Sequence, residues 1–390
     1  MKFLILLLAI CVLAITFFFY LCHRGKGEVT ANPTHADFVA EKSEILERAN
    51  WLCEQVLVEP EELFNKMPNI GEHFMGEWAL YTCAYSVAAL RNVSELYPET
   101  RDENLLKMQH LIGIAMSPLL RKYDTDSWGE DVWDDDDLNN SHMTYLSVLA
   151  WMISNYKLAG GRDWYDDTYK ECCEALHVRM LRSPNLCLPS FPGEIVFMPD
   201  MLVPIIALHN YGLIYDNRYE PTVSTWIAKA QSEWLDKKTG LLQSYLFMRT
   251  LSHAPVRGSY TALNCYYLSL IDDNFAQEQY HRMKQYMQHE DTLMGAPLCG
   301  VREYLNESPT FMFDVDAGPI ALGFSPSGTA WAIGPATYFG DWEFRYRMLS
   351  TAETAGMTTH RKNTRHYRLA NFALVGEAVV LAMRTHVKLN

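Results

Sequence analysis

From residue 37 onward, helical segments with one wet face alternate with helical segments that are apolar nearly all round, and few architectures accommodate that order. Apolar residues recur at i, i+3, i+4 and i+7 over about twelve spans: 37–58, 76–95, 102–123, 139–158, 163–181, 199–214, 218–236, 257–271, 273–290, 325–340, 342–354 and 369–386. Odd spans such as 218–236 (RYEPTVSTWIAKAQSEWLD) are amphipathic and read as outer helices. Even spans such as 201–213 (MLVPIIALHNYGL) and 261–271 (TALNCYYLSLI) read as inner ones. Each inner helix is buried only if its neighbours cover it, so six outer/inner pairs repeating every 55–70 residues predict an all-α chain closed into an (α/α)6 barrel. An open solenoid is the competing architecture, but its repeats are usually shorter and more uniform.

Connection lengths then predict where a site lies. Inner-to-outer connections are short, as at 159–162 and 215–217, whereas the outer-to-inner connections at 59–75, 124–138, 182–198, 237–256, 291–324 and 355–368 are long. Long loops in a compact domain are usually functional, and these six emerge on one face, at the N-terminal ends of the inner helices.

Composition narrows the function classes. The chain has 33 basic and 47 acidic side chains, a net charge of −14 and no basic cluster, which argues against nucleic acid as a partner. Aromatics make up 13% of the 390 residues, enough to suggest a pocket that encloses an organic ligand as well as an aromatic-rich core. The stretch 3–22 is uncharged and at about 1.5 Å per residue is long enough to cross the bilayer core. It lacks a small-residue cleavage site, so 1–23 is expected to be an uncleaved single-pass membrane anchor, 24–36 a linker and 37–390 the barrel. Basic residues on the two flanks are nearly balanced, which favours an extracytoplasmic barrel only slightly. Beyond the anchor lie Cys53, Cys83, Cys172, Cys173, Cys187, Cys265 and Cys299; with no C-x-x-C pair they suggest buried free thiols rather than a metal framework.

Candidate catalytic residues fall along the long-loop face. His142 opens an inner helix, where a ring aimed at the barrel mouth would serve acid/base chemistry, although a satisfied structural histidine is the commoner role. Asp200 begins the next inner helix after Pro199; burial there would raise its pKa and make it a proton donor. Asp314 and Asp316 are expected to face the same way if 313–317 is extended, beside a Gly-rich helix entry. Tyr260 is placed to orient a substrate hydroxyl or simply to pack. Glu77, Trp78, Tyr145, Ser190, Glu194, Tyr245 and Phe313 are candidate substrate contacts on the same face. The stretch 124–140 carries eight acids but lacks the spacing and glycine of an EF-hand, so it reads as a solvated capping loop and no metal ligand is assigned.

Three motifs in this order, 141–145 (SHMTY), 198–201 (MPDM) and 314–319 (DVDAGP) followed by 323–328 (GFSPSG), resemble linalool dehydratase/isomerase-like proteins over most of the chain after the anchor. The resemblance implies an (α/α)6 barrel and cofactor-free dehydration or isomerisation of a terpene alcohol. It matches His142 to the family's inner-helix histidine and the stretch 190–200 to a loop bearing two active-site cysteines. Ser190 and Asp200 stand near those cysteine positions, so a thiol mechanism does not transfer.

The expected activity is therefore that of an anchored lyase or isomerase, using no cofactor, on a small hydroxylated, terpenoid-like molecule. Two alternatives stay open. One is a glycoside hydrolase or polysaccharide lyase with Trp128, Trp133 and Tyr245 as sugar platforms; the other is a non-catalytic anchored binding domain. Homo-oligomerisation is compatible with all three.

Overall fold

The computed structural model describes residues 37–135, 138–250, 254–293, 295–306 and 311–388. The expected anchor at 1–23 and linker at 24–36 lie outside the described residues, among which no helix is long and apolar enough to cross a membrane. In chain order the helices are α1 (Lys42–Val56), α2 (Pro60–Asn65), α3 (Glu72–Leu96), α4 (Arg101–Ala115), α5 (Pro118–Trp128), α6 (Met143–Leu158), α7 (Asp166–Arg182), α8 (Met198–Ile214), α9 (Glu220–Glu233), α10 (Gly258–Leu268), α11 (Asp273–Met287), α12 (Pro326–Tyr338), α13 (Trp342–Gly356) and α14 (Leu374–Arg384). The fold is mostly helical, as the all-α reading expects.

Burial follows the parity of the sequence pattern. Every side chain from 143 to 156 in α6 and from 258 to 268 in α10 is buried, whereas α9 buries a single stripe of Thr222, Val223, Trp226, Ile227 and Ala230. Each fully buried aliphatic side chain of α6, such as Leu149 or Ile153, contributes about 1.5–3 kcal/mol relative to exposure. The buried helices pack in cyclic order: α3 on α6, α6 on α8, α8 on α10, α10 on α12, α12 on α14, and α14 back on α3. Amphipathic helices lie outside them, α4 on α3, α7 on α6, α9 on α8, α11 on α10 and α13 on α12.

Two features differ from expectation. The span 102–123 is not one helix but α4 and α5, because Pro118 lacks the N–H a continuous helix needs and Ser117 caps the new start by accepting from the Leu120 amide. The long connections also hold short strands that the sequence pattern left as loop. β1 (Ile195–Phe197) pairs with β2 (Tyr245–Phe247), which ties two separate connections together. β3 (Gln288–Leu293) pairs with β4 (Ala296–Val301), β5 (Phe311–Asp314) with β6 (Gly318–Ala321), and β7 (Thr358–Arg361) with β8 (Thr364–Tyr367), all antiparallel.

A buried ion network joins the first amphipathic helix to the last buried one. Arg48 on α1 reaches Glu44 (3.1 Å), Glu353 (2.6 Å) and Glu377 (2.8 Å), while Glu41 receives Arg345 and Arg384, each at 2.9 Å. Burial alone would raise the Glu44 carboxyl, but Arg384 and Arg48 outweigh it and hold the group at about 2.

Candidate functional site

A cavity of about 810 Å³ opens among the N-terminal ends of the buried helices. One stripe of α3 forms a wall, because Phe74, Glu77, Trp78, Tyr81 and Tyr85 recur at helical spacing. Asp200 from the first turn of α8, Tyr260 from α10, and Asp316 from the turn between β5 and β6 complete its acidic end. Phe197, Tyr267 and Trp331 add aromatic surface, so a few polar groups converge in a mostly apolar chamber.

Hydrogen bonds fix three of the four polar groups. Ser190 donates to Asp200 Oδ2 at 2.5 Å, and Tyr260 donates to Asp316 Oδ2 at 2.6 Å. Glu77 has no hydrogen-bond partner among the described residues and presents its carboxyl to the cavity. Burial, with the charges of Asp200 and Asp316 nearby, pushes Glu77 up to about 8. Burial also raises Asp200 to about 6, Ser190 opposing the rise and Asp316 adding to it. At neutral pH the two groups therefore occupy different protonation states.

Arg257 supports this end from outside the cavity. Its guanidinium bonds Glu303 at 2.6 Å and Asp314 at 2.7 Å and stands 3.8 Å from Asp316. Buried Glu303 also accepts from the backbone amide (3.0 Å) and hydroxyl (2.9 Å) of Ser259, holding the start of α10. Gly258 permits that approach, since a Cβ there would lie 1.7 Å from the Arg302 carbonyl oxygen.

Of the residues expected at the site, Glu77, Trp78, Asp200, Tyr260 and Asp316 line this cavity, and Ser190 stands behind Asp200. His142, Asp314, Tyr145, Glu194, Tyr245 and Phe313 are not among its lining residues. His142 is the residue before α6, with a left-handed backbone (φ 44°), and its ring lies against α5, where Nδ1 and Asp124 Oδ2 share a hydrogen bond at 2.6 Å. The expected extended run 313–317 is extended only as far as Asp314, and 315–317 form a hairpin turn: Asp314 Oδ1 accepts from the amides of Asp316 (3.0 Å) and Ala317 (2.9 Å), so Asp314 shapes the turn while Asp316 reaches the cavity. For Asp314, burial is outweighed by the Ala317 amide and Arg257, which hold its carboxyl below the usual range.

Tyr145 is buried and donates to the Ala115 carbonyl at 3.3 Å. Glu194 is exposed and pairs with Arg249, and Phe313 is 60% exposed on β5. Tyr245 packs its ring 5.8 Å from that of Phe197, one layer behind the wall. Trp128 and Trp133 lie beside His142 and Tyr145 respectively, outside the cavity. Tyr81, Tyr85, Tyr267 and Trp331 were not singled out in the sequence; the i+4 and i+8 positions from Glu77 are the signal that points to the first two. The seven described cysteines are all buried free thiols.

Comparison of the chain with protein-family models and with curated proteins finds no match.

Proposed function

We propose that the chain is an (α/α)6-barrel lyase or isomerase that acts by acid/base chemistry on a small hydroxylated, partly apolar molecule, with Glu77 as proton donor and Asp200 as proton acceptor. The cyclic packing of six buried helices, α14 returning to α3, supports the barrel. The observation that carries the chemistry is the pair of cavity carboxyls held at about 8 and about 6, because environments that push two acids apart assign the donor and the acceptor. Glu77 gives its proton to the leaving hydroxyl, the C–O bond breaks and water departs. Asp200 takes a proton from the adjacent carbon as the new double bond forms. The proton then returns from Asp200 to Glu77, the stronger base of the two, and the site is reset. Return of water to the other end of an allylic cation, with its extra proton passing back to the ionised Glu77, gives the isomer instead. The rings of Trp78, Tyr81 and Trp331 shield positive charge on carbon.

In the same reading, the uncharged segment 3–22 is a single-pass anchor, supported by its length and composition. The apolar lining favours this substrate class over a sugar chain.

The test is incubation of the full-length protein with a panel of tertiary and allylic terpene alcohols in ¹⁸O-labelled water, with gas chromatography and mass spectrometry of the products. Alkene formation or ¹⁸O entry into the recovered alcohol, lost in Glu77→Gln, is the expected result. Binding by calorimetry with neither alkene nor label exchange anywhere in the panel points to an anchored binding domain and overturns the assignment.

A further inference from the structure

A second group of side chains, outside the cavity, has the composition of a cation site. A ring nitrogen of His142 and one carboxylate oxygen each from Glu130 and Asp135 lie within 4.8 Å of one another. His142 is fully buried and Asp135 is 6% exposed. Nδ1 of His142 is committed to Asp124, so the nitrogen left for a ligand is Nε2, which has no hydrogen-bond partner. With Nδ1 turned to Asp124, a neutral imidazole offers the lone pair of Nε2 to a metal ion. Electron-pair donors that converge at one point are the arrangement a bound cation takes up.

We propose that Glu130, Asp135 and His142 bind a divalent first-row transition-metal ion, with Zn²⁺ the best match, and that Asp124 orients the imidazole from behind. An imidazole with two carboxylates is a nitrogen/oxygen donor set that suits zinc better than calcium, which takes six to eight oxygens. A carboxylate on the far nitrogen of a metal-bound histidine is the usual outer partner, since it fixes the tautomer and strengthens the donor. Arg179 bonds Asp135 Oδ2 at 2.7 Å and the Asn140 carbonyl at 2.7 Å, and Asp135 Oδ1 accepts from the Asn139 amide at 3.2 Å. Asn140 also donates to Glu130, leaving that carboxylate's second oxygen available. Such an ion fastens the connection between α5 and α6 to both helices. The site shares no lining residue with the cavity, so it stands or falls independently of the proposed reaction.

The test uses full-length protein in detergent, stripped with a chelator and titrated with ZnCl₂ by calorimetry, with bound metal counted by mass spectrometry. One zinc per chain is expected, with affinity reduced about 10–100-fold in Asp124→Asn and at least about 10-fold in Glu130→Gln. Glu130 is only partly buried, so its variant tests the site without emptying the core. A Co²⁺-loaded sample is expected to show visible bands without thiolate charge transfer. No uptake by the parent protein, unchanged affinity in both variants, equal displacement by Ca²⁺, or a thiolate band assigning the metal to a cysteine each overturns the proposal.

Discussion

Tyr260 on α10 and Asp316 on the β5–β6 turn are joined by a 2.6 Å hydrogen bond across 56 residues of chain. The bond ties a buried helix directly to the hairpin that brings an acid to the cavity. Tyr260→Phe removes the donor but keeps the ring against Arg257 and Phe197. It is expected to lower kcat/KM about 10-fold, equivalent to about 1.4 kcal/mol of lost transition-state stabilisation, with the circular dichroism spectrum unchanged. Full activity in both Tyr260→Phe and Asp316→Asn would remove the pair from the reaction.

The split between Glu77 and Asp200 sets a pH profile. Asp200 must be ionised to accept a proton, so kcat/KM rises as pH increases through about 6; Glu77 must be protonated to donate, so it falls beyond about 8. Asp200→Asn is expected to lower turnover about 10²–10⁴-fold and Glu77→Gln to do the same. A profile that is flat between pH 5 and 9 sinks the assignment.

Glu77 should also trade stability for function. An acid raised from 4.5 to about 8 in the folded protein stays protonated while the unfolded chain ionises, so stability is lost as pH rises from about 4.5 to about 8. Glutamine does not titrate, and Glu77→Gln is expected to raise Tm at pH 8 by about 2–4 °C, with the gap closing towards pH 4.5. A residue kept for structure alone would show a fall in Tm instead.

Arg48 behaves in the opposite way. Arg48→Met leaves Glu44, Glu353 and Glu377 without their shared partner and is expected to cost about 3–5 kcal/mol in urea unfolding at pH 7. Glu44 is held below its ordinary value, so its contribution is full above about 4.5 and fades as pH falls towards about 2. The deficit of the variant should therefore hold steady from pH 7 to about 4.5 and shrink as pH falls from about 4.5 towards about 2. A deficit that does not change with pH would mean that lost packing, not unpaired charge, is responsible.

The helices were legible because periodicity is local. The span 199–214 corresponds to α8 at Met198–Ile214, and 342–354 to α13 at Trp342–Gly356. Asp200 and Tyr260 could be placed near one end of the fold because both open buried helices after long connections. His142 has the same sequence context, but a left-handed φ at a single residue turns it towards Asp124, and nothing in the residue pattern marks that reversal. Asp314 and Asp316 exchange expectations for a similar reason: an Asx turn, not strand alternation, decides which carboxylate reaches the cavity. The three-residue strands β1 and β2 are too short for alternation to register, and two of the three carboxylate partners of Arg48, Glu353 and Glu377, lie 305 and 329 residues away, beyond any spacing rule.

That separation bears on how the chain is made. Arg48 leaves the ribosome early, yet Glu377 follows only after a further 329 residues, about 20–60 s at ordinary rates of synthesis. Until then Arg48 has Glu44 on its own helix but lacks Glu377, and α3 has no α14 to pack against. The oldest helices of the nascent protein thus wait for the youngest to complete their burial, an interval in which apolar surface stays exposed to aggregation. A chain terminated before α14 would never leave that interval.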